Sequence, residues 1–190
     1  TEDLAAGKYK ELYDFAPSGY ISLTKNGEIS ELNFVAARLL GQDRSSLMHK
    51  RFELFVSIQT QITFNTFFNK LLATHATQNC EVVLATKGNL PTHVTIEGTV
   101  SQNGDECLLT IVDNTKRIVA EEISRDIMDK NPMSIQIVDR DGYTIHGNPE
   151  YIKLFGAIPP PGFSIFDDLQ RKNPELEKLI LHAKAGEVVH

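Results

Sequence analysis

The chain has 190 residues, of which 41% are hydrophobic and 23% charged, and its formal net charge is −6. This ordinary globular composition fits one large domain or two small ones and excludes a disordered tail, a collagen-like repeat and a disulfide-rich mini-protein. No apolar stretch reaches the length of a membrane helix, and no region has the excess of Lys and Arg that nucleic acid binding requires. We therefore expect no membrane contact and no nucleic acid partner.

The two cysteines have no metal-ligand spacing, and so few thiols suit a reducing compartment, which predicts a cytoplasmic location. The chain begins at Thr1 rather than Met and has no signal peptide, so we expect it to be part of a longer protein. A short amphipathic helix is predicted before Ala16, because Tyr9, Leu12 and Tyr13 follow i, i+3, i+4 spacing. We expect a weak homodimer through this strip; packing inside the domain is the alternative.

Residues 16–41 are repeated at residues 131–156, without a gap and at a constant offset of 115 positions. The identical pairs are Pro17 and Pro132, Gly27 and Gly142, Asn33 and Asn148, Leu39 and Leu154, and Gly41 and Gly156. Each copy predicts a strand, an Asn-Gly or Asp-Gly hairpin turn, a second strand, an Asn-capped helix and a glycine that ends the helix. The sequence therefore predicts two copies of one structural unit.

The first copy continues into a complete α+β domain. Residues 61–74 have apolar side chains at helical spacing, which predicts a long helix with an apolar stripe; Ile62 is part of that stripe. Three strands are predicted after it, over Cys80–Thr86, Pro91–Val100 and Glu106–Val112, with turns at residues 87–89 and 103–105.

A helix is predicted from Thr115, a reasonable N-cap, to Lys130, because this stretch is rich in helix formers and lacks Gly and Pro. Its apolar stripe consists of Ile118, Val119, Ile123, Ile127 and Met128. The second copy then begins. After a Pro-rich loop at residues 158–162 and an apolar, then helical, stretch from Phe163 to Leu181, at most one short strand fits beyond Gly186, so we expect this copy to be incomplete.

Both copies resemble PAS domains, the sensory modules of bacterial and archaeal signalling proteins. The matching stretches are Ala16–Tyr20 and Asn131–Ile135, each followed by the repeated glycine and asparagine. The first copy also ends in Asp113-Asn114-Thr115, similar to the D-x-T signature that closes many PAS cores. The resemblance covers a full core at residues 9–115, after an N-terminal flank at 1–8, and part of a core at 131–190, beyond a linker helix at 116–130.

The resemblance implies a five-stranded antiparallel sheet in the order 2-1-5-4-3, with helices on one face that enclose a pocket. It implies a sensory or relay module of a signal-transduction protein, of the sensor histidine kinase type, with its output domain in the same chain. Within it, Asp113 and Thr115 would tie the end of the sheet to the outgoing helix. A ligand-free interaction scaffold in a transcription regulator or a cyclic-nucleotide enzyme stays open as the alternative.

We expect no catalytic activity from this segment, because it has no GxSxG, HExxH or phosphate-loop motif and no paired acid and base. We also expect no flavin and no haem. The stretch Met48–Ser57 lacks the cysteine of flavin-binding PAS domains, and Lys70 stands where haem-binding ones have a histidine; His75 lies at the helix end. The aromatic stripe with Phe64, Phe68 and Leu72 is open to two interpretations, core packing or one wall of a small-molecule pocket. The residues predicted to face it are Val94 and Thr110.

Overall fold

The computed structural model describes residues 2–85, 91–166, 178–179, 182 and 185–186, with the side chains of 2–6 and 9 excepted. The predicted turn at residues 87–89 and the predicted strand after Gly186 lie outside these residues, as does most of the predicted helical stretch between 163 and 181. The chain divides into two units, Thr1–Val119 and Ala120–His190, and each is described by itself.

The first unit has strands and helices in the order that the sequence predicts. Its elements are α1 (Glu2–Asp14), β1 (Gly19–Thr24), β2 (Ile29–Leu32), α2 (Phe34–Leu39), α3 (Arg44–Leu47), a 3₁₀ helix (Phe52–Phe55), α4 (Gln61–Thr74), β3 (Gln78–Leu84), β4 (Thr92–Val100) and β5 (Glu106–Asp113). The predicted helix before Ala16 thus extends back to Glu2. Helix α4 has the predicted bounds.

The five strands form one antiparallel sheet in the order β2-β1-β5-β4-β3, which confirms the predicted topology. Alternate residues of each strand face α2, α3 and α4, as the pleat of a strand requires. On β5, for example, Cys107, Leu109 and Ile111 are buried. Ile62 is 79% exposed, so it lies outside the buried face of α4, to which the sequence had assigned it.

Two local features of the repeat are confirmed. The turn glycines Gly27 (φ +78°) and Gly142 (φ +84°) have the positive φ that only glycine adopts readily. The side chains of Asn33 and Asn148 cap the helix that follows each of them. These features follow from a few neighbouring residues, so the sequence pattern is sufficient to predict them.

Helix α5 spans Thr115–Asp129, and the division between the two units falls within it. It has no fully buried residue, and Val119, Ile123 and Ile127 are 42%, 55% and 64% exposed. The second unit contains the hairpin β6 (Gln136–Val138) and β7 (Thr144–Gly147), followed by helix α6 (Pro149–Phe155).

Candidate functional site

The end of the sheet is joined to helix α5 by a small set of hydrogen bonds. The carboxylate of Asp113 accepts from the backbone N–H of Thr115 (2.8 Å), and the hydroxyl of Thr115 accepts from the backbone N–H of His93 on β4 (2.9 Å). Asn114 continues the connection, since its backbone N–H donates to the His93 carbonyl (2.8 Å) and its Nδ2 to the hydroxyl of Thr95 (2.6 Å). The start of α5 is therefore bonded to β4 as well as to β5.

This junction corrects one prediction. Thr115 is the first residue of α5 and not its cap, because its hydroxyl bonds to β4 while the Asp113 carboxylate accepts its N–H. Sequence reasoning singled out Asp113 and Thr115 but missed His93, whose contribution is made by backbone groups. A backbone contact across a sheet leaves no signal in the identity of the residue that makes it.

Three of the predicted pocket residues lie together. Phe64, Phe68 and Leu72 on α4 form the apolar side of a surface cleft of about 640 Å³, which we call the α4 cleft. The remainder of its lining is mostly polar and comes from the β1–β2 turn, the 3₁₀ helix and α4: Lys25, Asn26, Gly27, Glu28, Arg51, Glu53, Asn65 and Asn69. The cleft is open to solvent and offers both charges and several amides, so it suits a small polar ligand better than an apolar one.

The other two predicted pocket residues lie elsewhere. Val94 is 2% exposed and belongs to the core of the first unit, but it does not line the α4 cleft. Thr110 lies on the opposite face of the sheet, because it alternates with the buried Leu109 and Ile111 along β5. The structure therefore does not bring Thr110 together with the aromatic side chains of α4.

Around Phe52, Phe64 and Gly98, the space between α4 and the sheet is filled by side chains. The ring of Phe64 lies 5.0 Å from that of Phe52 and 5.9 Å from that of Phe68, measured between centroids. A Cβ added to Gly98 on β4 would come within 2.8 Å of Leu109 Cδ2 and of Phe67 Cζ. Contacts this short leave no room for a ligand at that point, so the aromatic stripe acts there as core packing.

The outer face of the sheet carries a second groove, of about 770 Å³, beside α1. Its apolar side chains include Leu12, which is 66% exposed, and the stacked rings of Tyr13 and Tyr20, whose centroids are 5.9 Å apart. Its charged residues are the acids Glu31, Glu97 and Glu106. The side chain of Tyr9, which the sequence placed on the same strip of α1, lies outside the described residues.

Both cysteines are free and buried, and β4 separates the strands that carry them. Burial raises the pKa of the Cys80 thiol to about 12 and also raises the pKa of Cys107, so neither thiol ionises near neutral pH. Within the described residues no group of three or more His, Cys, Asp and Glu side chains is arranged to hold a metal ion. A search of the same part of the chain finds no helix with the length and apolar character needed to cross a bilayer.

Solved structures with a similar fold include domains from Haloarcula marismortui and Geobacter sulfurreducens. The PAS domain of an HTR-like protein from Haloarcula marismortui is similar at a TM-score of 0.52 and 16% identity, over 58% of this chain and 98% of that one. A domain of a sensory box sensor histidine kinase/response regulator from Geobacter sulfurreducens is similar at a TM-score of 0.50 and 13% identity, over 60% of this chain and 97% of that one. At these identities the likeness shows the fold alone.

Comparison with curated protein sequences finds no match. A family model for the PAS fold matches residues 7–113, which is more than half of the chain and includes the sheet, helices α2, α3 and α4 and both candidate grooves. The chain therefore belongs to the PAS family, whose domains are sensory modules rather than catalytic ones.

Proposed function

We propose that this chain is the sensory and relay segment of a signal-transduction protein of the sensor histidine kinase type. It consists of a PAS domain at residues 9–115, a linker helix at 116–130 and an incomplete second PAS unit at 131–190. A change in the sheet of the PAS domain moves the linker helix, and the helix passes that movement towards an output domain of the same chain. Asp113 and Thr115 are the residues that make this transfer.

The observation that carries the proposal is the bonding at the start of α5. Thr115 bonds to the backbone of β4 and its own N–H bonds to Asp113 of β5, so two neighbouring strands hold the first residue of the helix. A shift of β4 relative to β5 therefore changes the position of Thr115. Because each later N–H of a helix is bonded four residues back, such a shift is transmitted along α5 rather than absorbed in one flexible residue.

The test replaces Asp113 by Asn, which weakens the acceptor for the Thr115 N–H. Asp105→Asn is the matched control, since Asp105 is an exposed carboxylate that pairs only at the surface with Lys25 (3.4 Å). In the full-length protein we expect Asp113→Asn to reduce the response of the output activity to the stimulus, with the PAS domain still folded and Asp105→Asn unchanged. Insertion of Gly-Gly after Ala120 should have the same effect. An output response that survives both changes contradicts the proposal.

A second function, a ligand-free interaction scaffold, is favoured by the filled interior around Phe52, Phe64 and Gly98. A sensory ligand would then bind in a surface cavity such as the α4 cleft rather than between α4 and the sheet. Native mass spectrometry of the freshly purified chain separates the two. An added mass that disappears in an Asn69→Glu variant, at an exposed residue that lines the cleft, favours a ligand in the cleft, with Ile62→Glu, on the exposed face of the same helix, as control. Absence of any added mass favours the scaffold.

We infer further that the chain forms a weak homodimer through α1 and the groove beside it. Leu12 is largely exposed, and it borders the apolar side chains of the outer sheet face, so a second copy can bury both together. We also infer a cytoplasmic location, which the two unpaired thiols support.

A further inference from the structure

Two asparagines, Asn33 in the first unit and Asn148 in the second, are completely buried. A buried side-chain amide must satisfy both its oxygen and its NH₂ group. The sequence explains only the oxygen, which caps the following helix. The NH₂ groups bond to backbone carbonyls that precede the asparagine in each unit.

In the first unit, the Oδ1 atom of Asn33 accepts from the backbone N–H of Tyr20 (3.0 Å) and of Ala36 (2.9 Å). Its Nδ2 atom donates to the backbone carbonyls of Tyr13 (2.8 Å) and Ser18 (3.0 Å). Tyr13 lies in the last turn of α1. One side chain therefore joins the end of α1 to β1 and to α2.

The second unit repeats this arrangement. The Oδ1 atom of Asn148 accepts from the backbone N–H of Ile135 and of Tyr151, each at 2.9 Å. Its Nδ2 atom lies within hydrogen-bond distance of three backbone carbonyls, which share its two hydrogens: those of Met128 (3.1 Å), Asn131 (3.3 Å) and Met133 (2.8 Å). Met128 lies in the last turn of α5 and Ile135 directly precedes β6, so Asn148 joins the end of α5 to the start of the hairpin and to α6.

The partners of the two asparagines are related by the same offset of 115 positions as the sequence repeat. The equivalent pairs are Tyr13 and Met128, Ser18 and Met133, Tyr20 and Ile135, and Ala36 and Tyr151. In these bonds α5 has the same place in the second unit that α1 has in the first, because a carbonyl in the last turn of each helix accepts from the buried asparagine of its unit.

The chemistry explains why both positions hold Asn. A helix cap needs only an acceptor, which Ser, Thr and Asp also supply. The last carbonyls of a helix need donors, because they have no partner within the helix. Among the common cap residues, Asn alone provides an acceptor together with two amide hydrogens, so it serves the helix that ends and the helix that begins.

A second contact holds the same end of each helix. Asp129, the last residue of α5, lies 3.2 Å from Nε2 of His146 on β7. The equivalent residue by offset, Asp14 at the end of α1, pairs instead with Arg44 of α3 at 3.3 Å. Each terminal aspartate is thus held by a side chain from elsewhere in its own unit, although the partners differ.

We propose that Asn148 is the positioning residue that fixes the end of α5 to the second unit, which makes α5 the entry helix of that unit as well as the exit helix of the PAS domain. The inference rests on the proposed relay function and names the residue that receives the movement. It requires that removal of the Asn148 amide hydrogens frees the end of α5.

Asn148→Asp tests this requirement. The variant keeps an acceptor for the N–H groups of Ile135 and Tyr151, but it loses every Nδ2 bond and brings a carboxylate oxygen against the Met128 carbonyl. We expect hydrogen exchange of the amides in the last turn of α5 to become about tenfold faster, while those of the β6–β7 hairpin keep their rates. Asn33→Asp is the matched control and should accelerate exchange at the end of α1 only.

The inference is overturned if Asn148→Asp leaves hydrogen exchange at the end of α5 unchanged. It is also overturned if Asn33→Asp accelerates exchange at the end of α5 as much as Asn148→Asp does. If Asn148→Asp unfolds the second unit, the unaltered chain decides the question. A scalar coupling across the hydrogen bond, between Nδ2 of Asn148 and the carbonyl carbon of Met128, supports the joint, by which we mean the attachment of the end of α5 to Asn148. Its absence, with the coupling from Asn33 to Tyr13 present, overturns it.

A third variant separates this joint from the relay itself. Thr115→Val removes the bond between α5 and β4, and we expect it to shift the side-chain amide signals of Asn148. Thr74→Val, at the exposed end of α4, should not shift them. If Asn148→Asp frees α5 but Thr115→Val leaves the Asn148 signals unmoved, the joint stands and the relay is contradicted.

Discussion

Gly98→Ala tests whether the space between helix α4 and the sheet is filled. Gly98 lies on β4 opposite Leu109 of β5 and faces the helix. The new Cβ would lie 2.8 Å from Leu109 Cδ2, 2.8 Å from Phe67 Cζ and 2.9 Å from Leu71 Cδ2. All three side chains are buried, so each must move within the core to accept one methyl group.

Insertion of a methyl group into a well-packed core forces side chains from their preferred rotamers and costs about 1–3 kcal/mol. We therefore expect the free energy of unfolding of the first unit to fall by about that amount. For a domain of about 100 residues, each kcal/mol lowers the melting temperature by roughly 4–8 °C. Gly7→Ala is the control, because Gly7 lies in α1 and a Cβ there meets nothing within 4 Å. It should raise stability by about 0.5–1 kcal/mol, the ordinary difference between Ala and Gly in a helix.

Thermal unfolding is followed through the amide signals of β4 and β5, which report the first unit by itself. The expected result is a lower midpoint for Gly98→Ala and an equal or higher one for Gly7→Ala. If Gly98→Ala has the same midpoint of thermal unfolding as the unaltered chain, the added methyl group has found free space. The packed interior, and with it the exclusion of a ligand from the space between α4 and the sheet, would then be refuted.

Four further outcomes are expected. The Cys80 pKa is raised from 9.0 to about 12 in the folded state, so between these pH values the thiol ionises only in the unfolded chain. The free energy of unfolding should therefore fall as pH rises from about 9 towards 12, by up to ~1.4 kcal/mol per pH unit. Urea unfolding over this range should show a shallower fall in Cys80→Ala. Arg44→Ala removes the partner of the Asp14 carboxylate, whose side chain is 4% exposed, and should lower the free energy of urea unfolding by about 1–3 kcal/mol; no loss would show that the pair is dispensable. Leu12→Glu should weaken self-association in sedimentation while Ile62→Glu does not, and an unaltered chain that stays monomeric at high concentration would contradict the dimer. The purified protein should lack the visible absorption bands of flavin and haem, and a stoichiometric band would overturn that expectation.

Several features could be predicted from the sequence because a few adjacent residues decide them. The Asn-Gly and Asp-Gly turns formed where the pattern indicated, since positive φ is a property of Gly27 and Gly142 themselves. The bounds of α4 followed from apolar spacing and local helix propensity. The strand order came from the resemblance to PAS domains, because nothing within a single strand specifies its neighbours in a sheet.

The candidate site depended on the tertiary structure. Thr110 was assigned to the face of the sheet that α4 covers, but the pairing of Ile21 with Leu109 and of Ile96 with Ile111 turns Thr110 to the other face. A strand exposes alternate residues on opposite faces, so one position of register decides the assignment, and register is set by contacts with distant strands. The contacts of His93 with Asn114 and Thr115 are of the same kind, since they join residues more than twenty positions apart.

The repeated asparagine has one role that adjacent residues decide and another that only the tertiary structure decides. Its acceptor role as a helix cap was evident from sequence, because a cap bonds to an amide three residues away. Its donor role was not, because the Tyr13 and Met128 carbonyls are twenty positions distant and become neighbours only when each helix packs against its own hairpin. Local backbone chemistry determined where the elements begin and end. The long-range packing of those elements decided which of their polar groups meet.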